Sequence, residues 1–305
     1  MVANLLHRTQ EVHGDQILYR FGNGLVVKTE RLGAKTPLRI LGLGSPQNTL
    51  LNYMLNFFEA LQNKDVFEPF AGSGILGLMA LKVGAHYAEF LDVNPRAVEF
   101  QTENACLNHF TPEQFSCHEG DIRTFCLERK FDFLFANPPF VPTPDGITRV
   151  IHSNGGTEGN TLVQVLLQRL EDFLKPTGEA FVCVFQIVQA GKPLVSDLAA
   201  RLIERRAVEI IVAQEKPIEF ELYYQTYLEV FPQFTNEIAS WKSDLATRLG
   251  NDLGLCHYVV HIGPQTNQLT SVVLTNDFAD KFGDDLLMRF DSKDLARMRI
   301  SENVL

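Results

Sequence analysis

Cysteine is sparse and scattered in this 305-residue chain. Cys106, Cys117, Cys126, Cys183 and Cys256 include no C-x-x-C pair, and their number is odd. That pattern argues against a disulfide framework or a cysteine-held zinc, so no metal site is expected and a reducing, cytoplasmic setting fits. Most of the five are expected as small buried apolar residues. Long hydrophobic runs are missing as well. No segment is long enough to span a bilayer, and residues 1–8 lack the sustained apolar core of a secretory signal. No membrane partner is expected. Positive charge is also in deficit: 27 Lys and Arg against 37 Asp and Glu give a formal net charge of −10 and a pI near 5.3. An acidic surface repels phosphate backbones and disfavours a nucleic-acid substrate without forbidding one. Arg201, Arg205 and Arg206 could form a local basic patch, but are better read as the solvated end of a helix, where cations meet the negative end of its dipole. No internal repeat or low-complexity tract is visible.

What is present suits a globular α/β protein. The hydrophobic fraction is 45%, ordinary for an enzyme. The length suggests one core of roughly 200 residues with an appendage at each end. Residues 15–32 read as a β-hairpin around Gly22-Asn23-Gly24. After breaks at Pro37 and at Gly42, Gly44 and Pro46, a helix is expected over 48–62 with Leu51, Leu55 and Phe58 on one face. Apolar runs follow at 65–70, 87–92, 115–117, 131–136, 179–187 and 207–213. Helical stretches fall between most of them, at 73–83, 95–109, 158–174 and 192–206. Pro95 suits a first helical turn, and residues 175–178 (Lys-Pro-Thr-Gly) are expected to stop a helix before the next strand. This alternation predicts a mostly parallel sheet with helices on both faces. Past residue 213 the rhythm changes. Residues 207–213 and 256–262 are expected as a final antiparallel pair, with an aromatic-rich helical insertion over 214–255 between them. The division expected is an N-terminal β-hairpin region, 1–45, a catalytic domain, 46–270, and a C-terminal extension, 271–305, with a polar helical end.

Four turns carry chemistry. Glu68-Pro69-Phe70-Ala71-Gly72-Ser73-Gly74 follows a strand and opens a helix. Glycines there let the backbone approach a ligand, and Gly72, Gly74 and Gly77 satisfy G-x-G-x-x-G. A nucleotide-type ligand is indicated, but NAD and S-adenosylmethionine remain open on glycines alone. Asp92 ends the next strand, where a carboxylate can accept from both hydroxyls of a ribose. The bland reading is a helix N-cap. Asp121 and Ile122 follow the third run, placed to bind an adenine amino group and pack on its ring, or to be mere loop residues. Last comes Asn137-Pro138-Pro139-Phe140. Two prolines cannot continue a strand ladder, so a rigid corner forms at the sheet's C-terminal edge. The Asn137 side chain and the Pro138 carbonyl could each accept one hydrogen from a planar –NH2 group.

In this order the four turns resemble class I S-adenosylmethionine-dependent methyltransferases. The likeness is to the small-domain N-methyltransferase group, which includes release-factor glutamine N5-methyltransferases and several rRNA base methyltransferases. Residues 91–98 and 154–159 (Asn-Gly-Gly-Thr-Glu-Gly) also match that group's wording, and the likeness covers about 45–190. It implies a Rossmann-like seven-stranded methyltransferase sheet, mostly parallel with an antiparallel last strand. It implies S-adenosylmethionine held by Glu68, Phe70, Gly72, Gly74, Asp92, Val93, Asp121, Ile122 and Asn137, and catalysis by Asn137, Pro138 and Phe140. Pro139 is expected at the acceptor. Tyr223, Tyr224 and Tyr227 would reach it as a lid, or form the buried face of a helix. Residues 45–50 depart from the glutamine N5-methyltransferases: the proline-rich segment with its acidic residue is replaced by Ser-Pro-Gln-Asn-Thr-Leu. The hairpin and the 214–255 insertion are also foreign to them. The expected acceptor is a protein side-chain amide or a small amine. Alternatives are a nucleic-acid base, a lyase or cyclase that consumes the cofactor and releases methylthioadenosine, and, on the glycines alone, a dehydrogenase that leaves the proline corner unexplained.

Overall fold

The computed structural model describes residues 8–31, 38–147 and 153–289. Residues 1–7, Pro37 and the expected helical end past residue 289 lie outside them. Three antiparallel strands come first: β1 (Arg8–His13), β2 (Gln16–Phe21) and β3 (Val26–Glu30). The β2–β3 hairpin turns at Gly22-Asn23-Gly24, with Gly24 at φ +80. β1 is an addition to the expected hairpin. Its exposed side chains leave no buried alternation to read.

The main sheet has ten strands. After α1 (Ser45–Asn56) and α2 (Phe58–Leu61), its first half runs β4 (Asp65–Pro69), α3 (Ile75–Lys82), β5 (Tyr87–Asp92), α4 (Pro95–Leu107) and β6 (Phe115–Glu119). Then come β7 (Phe131–Ala136), α5 (Thr161–Gln168), α6 (Leu170–Phe173), β8 (Leu174–Gln189), β9 (Lys192–Pro193), α7 (Val195–Ala199) and β10 (Arg206–Val212). The chain finishes with β11 (Ile218–Glu219), α8 (Phe220–Val230), α9 (Thr235–Leu249), β12 (Leu253–Gln265), β13 (Val272–Thr275) and α10 (Phe278–Phe282).

In space the order is β13-β10-β12-β8-β7-β4-β5-β6, with β12 antiparallel to both neighbours. The seven strands from β6 to β10 form the expected mostly parallel sheet, and α8 and α9 are the expected helical insertion before its antiparallel strand. β4 is central because the chain builds outward to β6, then returns to β7 on the other side. Crevices form at such a reversal, beyond the strands' C-terminal ends. β4, β5 and β7 read as apolar runs because both their faces are covered. Along β7, Phe133 and Phe135 enter one core and Leu134 and Ala136 the other.

Several expectations fail for local reasons. Residues 175–178 do not stop a helix ahead of β8 but lie within it. Phe131 pairs with Leu174 and Phe133 with Glu179, so β8 bulges across this stretch, and a Cβ on Gly178 would sit 2.7 Å from the Phe131 carbonyl. The expected 192–206 helix shrinks to Val195–Ala199. Ala190 and Gly191, both at positive φ, fold residues 192–193 back as β9. Arg206 is no solvated helix end. It is fully buried at the start of β10. The first long helix starts at Ser45 and breaks at Phe57, leaving Phe58 exposed rather than on the buried face of Leu51 and Leu55. Only Cys183 and Cys256 are buried; Cys106 and Cys126 are exposed.

Candidate active site

A cavity of about 540 Å³ opens at the C-terminal edge of β4, β5, β6 and β7. Its walls are the turns that follow these strands. After β4 the backbone coils tightly, with Phe70, Gly72 and Gly74 all at positive φ (+58, +51 and +76). For a phenylalanine this conformation costs about 1 kcal/mol, the kind of strain that clusters at functional turns. The turn is held from below by Glu68, whose carboxyl oxygens accept from the Gly77 and Leu76 N–H groups at 2.7 and 3.3 Å. Burial pushes its carboxyl up to about 8. Gly77 itself faces the core. A Cβ there would overlap the Phe90 ring, 2.9 Å from Cζ. The third glycine of the fingerprint therefore serves close helix–strand packing, while Gly72 lines the cavity.

Asp92 lines the next wall. Its two oxygens accept from Gly72 N and Asn94 N at 2.8 and 2.9 Å, which ties the β4 and β5 turns together. The N-cap of α4 is Asn94, not Asp92: Asn94 Oδ1 accepts from Arg96 N. Val93 lies beside it, exposed at the cavity. After β6, Asp121 is bound at 2.9 Å by the Nε of Arg123, which holds its carboxyl below the usual range. Ile122 beside it is buried. After β7, Asn137 and Pro139 line the cavity, and Asn137 Oδ1 is buried without a hydrogen-bond partner among the described residues.

The structure thus brings Glu68, Phe70, Gly72, Asp92, Val93, Asp121, Ile122, Asn137 and Pro139 to one cavity. Gly74 and Pro138 are not among the residues that line it. Phe140 turns away, its ring edge-on to the buried His257 at 5.9 Å. Tyr223, Tyr224 and Tyr227 are not brought to the cavity. Tyr223 and Tyr227 lie buried with Phe220, Phe231 and Trp241 against Val141 and Ile147, and Tyr224 packs under Lys242.

Sequence reasoning missed a further wall, formed by Arg39, Ile40, Leu41, Leu43 and Gln47. This stretch has no periodicity of its own. It is placed by distant partners: Glu30 N donates to the Ile40 carbonyl, Ile40 N to Glu30 Oε2, and Asn94 Nδ2 to the Leu38 carbonyl. The small sheet that carries Glu30 is held in turn by α4. Asn104 and Asn108, one helical turn apart, pair with the backbone of Lys28 and Val26 as a strand would. Asn104 also donates to the Ser73 carbonyl in the glycine turn. Among the described residues no group of His, Cys, Asp and Glu is arranged to hold a metal. No helix among them is long and apolar enough to cross a membrane.

Residues 50–198 match the family model of the methyltransferase small domain. A Methanocaldococcus jannaschii protein named, provisionally, a protein N5-glutamine methyltransferase is 32% identical over 43% of this chain and 64% of its own length. A ribosomal protein L11 methyltransferase of Legionella pneumophila is 33% identical over 40% of this chain and 44% of that protein. A tRNA1(Val) adenine-37 N6-methyltransferase from a Flavobacteriaceae bacterium is 33% identical over 26% and 35%. The chain therefore spans less than two thirds of the length of each relative. Among solved structures, a Thermus thermophilus 16S rRNA guanine N2-methyltransferase bound to S-adenosylmethionine and guanosine superposes with a TM-score of 0.42 at 15% identity, over 64% of this chain and 45% of that one.

Proposed function

We propose that the protein transfers a methyl group from S-adenosylmethionine to the nitrogen of a planar –NH2 group, on a protein side-chain amide or a small molecule. The observation that carries this reading is the buried, unpartnered Asn137 Oδ1 on the cavity wall. Leaving a buried acceptor unpaired costs about 1–3 kcal/mol. Such an atom calls for an explanation, and a ligand that supplies the donor is one. The match of residues 50–198 to the methyltransferase small domain supports the same reading.

The residues present fit the cofactor. Gly72 leaves the backbone open to close approach, with nothing within 4 Å of where its Cβ would stand, the Asp92 oxygens keep lone pairs for ribose hydroxyls, and Ile122 offers an apolar face for a purine ring. Bound S-adenosylmethionine supplies a methyl group on a sulfonium, already activated by its leaving group. The protein's own task is then to prepare the nitrogen. An amide or arylamine nitrogen is a weak nucleophile because its lone pair is delocalised. Asn137 Oδ1 accepts one N–H and the Pro138 carbonyl the other, which favours a tetrahedral nitrogen and stabilises the positive charge that develops on it. The two prolines hold these acceptors rigidly, so little reorganisation is needed. No strong base is required, because the methylated nitrogen is cationic and strongly acidic and releases its surplus proton to water.

A glutamine amide and an adenine amino group present the same planar –NH2, and relatives are named for each. The net charge of −10 favours the protein or small-molecule acceptor. The test is to incubate the chain with S-adenosylmethionine and a glutamine-containing peptide, a tRNA pool, or no acceptor. Mass spectrometry then identifies both products. S-adenosylhomocysteine with a methylated peptide supports the reading. A methylated tRNA moves the acceptor to nucleic acid. Methylthioadenosine, or no consumption of cofactor, defeats methyl transfer.

A further inference from the structure

The helical insertion carries polar aromatic groups that point away from the cavity. The Tyr223 and Tyr227 hydroxyls both donate to the Pro142 carbonyl, at 2.9 and 2.8 Å. Trp241 Nε1 donates to the Thr157 carbonyl at 2.9 Å. All three side chains are buried. Their two targets belong to the segments that extend the proline corner. Pro142 ends the run that starts at Asn137, and Thr157 lies in the turn opposite. These segments are zipped together: Val141 N donates to the Ser153 carbonyl, Gly155 N to the Val141 carbonyl and Thr143 N to the Gly156 carbonyl. Gly155 passes so near Phe140 that a Cβ would lie 2.7 Å from its carbonyl carbon, and a Cβ on Gly159 would overlap the Phe140 carbonyl oxygen. A shift in either segment therefore pushes on Phe140. Pro138 and Pro139 have fixed φ and pass the shift on to Asn137.

We infer that Tyr223, Tyr227 and Trp241 are positioning residues for methyl transfer. They clamp the two segments from behind and so set where Asn137 and the Pro138 carbonyl meet the acceptor. The role rests on the reading of Asn137 given above. It replaces the idea of an aromatic lid, because the hydroxyls are aimed at Pro142 and none of the three rings lines the cavity.

The geometry gives a non-additive signature. A carbonyl oxygen has two lone pairs, and here each takes one hydroxyl. Either hydroxyl alone still anchors the carbonyl, so Tyr223→Phe and Tyr227→Phe each lower kcat by less than about threefold. The double variant removes both donors. A displacement of about 1 Å at a reacting centre costs on the order of 100-fold, so kcat falls by about 10- to 100-fold. The apolar cluster that holds Tyr223, Tyr227 and Trp241 includes no residue of the turns after β4, β5 and β6, so affinity for S-adenosylhomocysteine stays within about twofold.

The experiment measures kcat and KM for the wild-type chain, both single variants and the double variant. The acceptor is the one that the wild type methylates in the panel above. Calorimetric titration with S-adenosylhomocysteine and amide hydrogen exchange at Val141, Thr143 and Gly155 accompany the kinetics. The expected result is a loss of kcat in the double variant alone, with faster exchange at those amides and unchanged cofactor affinity. If the double variant does not fold, Trp241→Phe removes one donor while keeping an aromatic ring, and kcat should fall with cofactor affinity retained. An active wild type whose folded variants keep kcat, or lose cofactor affinity in proportion to it, overturns the clamp alone. A folded wild type that methylates nothing in the panel overturns the reading of Asn137 and the clamp with it.

Discussion

Arg206 offers the sharpest test of how the far end of the sheet is held. Its side chain is fully buried, and its five N–H donors meet five acceptors. Nε and NH2 grip the two Glu171 oxygens at 2.7 and 3.1 Å. NH1 donates to the Gly178 and Gly263 carbonyls at 2.8 and 3.0 Å, and NH2 to the Lys175 carbonyl at 3.0 Å. Arg206→Met keeps an extended side chain and removes every donor, which takes a partner from three carbonyls and leaves the Glu171 carboxylate with the Gln265 amide at 2.7 Å. Breaking a buried pair from one side costs about 3–5 kcal/mol. Glu171 is partly solvated, so the lower end applies. Arg206→Lys has three donors for five acceptors and leaves two unmet, a cost of about 2 kcal/mol or more. At about 2–4 °C per kcal/mol, the methionine variant should melt about 6–12 °C lower. Burial pushes the Glu171 carboxyl up, and the paired guanidinium overrides it and holds it below its ordinary value of 4.5. For an acid with a depressed folded pKa, the stabilisation is present above the unfolded pKa and is lost as pH falls through the folded one. The gap between wild type and Arg206→Met should therefore narrow below about pH 4. Urea unfolding at neutral and acid pH measures both effects. A methionine variant within about 1 kcal/mol of wild type at pH 7, or a lysine variant equal to wild type, would refute the reasoning.

Glu68 should give stability the opposite slope. Burial pushes its carboxyl up to about 8 from 4.5, so the folded state holds the proton more tightly and its contribution is lost as pH rises through that window, at up to about 1.4 kcal/mol per pH unit. Glu68→Gln should flatten thermal stability against pH in that range; an unchanged slope counts against a buried protonated carboxyl. Gly77→Ala should destabilise the protein, because overpacking against the fully buried Phe90 costs about 1–3 kcal/mol and outweighs a helix-propensity gain of about 1 kcal/mol. A higher melting temperature would show that α3 can move away from β5. Asp92→Ala should weaken S-adenosylmethionine binding by about 10- to 100-fold in equilibrium titration, the loss of a charged hydrogen-bonding group. Retained affinity would remove Asp92 from the cofactor site.

The parts of the fold that could be read in the sequence were those set locally. β4, β5 and β7 declared themselves as apolar runs, and the turns after them carry their own chemistry in glycines, aspartates and prolines. The cavity is legible to the same extent, because Gly72, Asp92, Ile122 and Asn137 each sit next to the strand that positions them. Features fixed by distant partners were not visible. Residues 38–47 reach the cavity only because Glu30 and Asn94 hold the stretch there. Arg206 reads as one of three surface arginines until Glu171 and three carbonyls are brought around it. Tyr223 and Tyr227 lie one helical turn apart, which identifies a face but not its target, and the target is the carbonyl of Pro142. The start of β8 was hidden by Pro176 and Gly178, residues that ordinarily end an element and here sit inside a bulge.

The most direct measurement is the effect of Asn137→Ala on turnover and on cofactor affinity, determined separately on the same preparation. On the proposed reading Asn137 Oδ1 acts on the acceptor nitrogen, while the turns after β4, β5 and β6 carry the residues proposed to hold the cofactor. kcat should fall by about 100-fold or more, in line with the removal of one preorganised polar group from a reacting centre, while the Kd for S-adenosylmethionine changes by less than about threefold. Equal losses in kcat and affinity, or a kcat that survives the substitution, would contradict the assignment of Asn137 as the group that grips the methylated nitrogen.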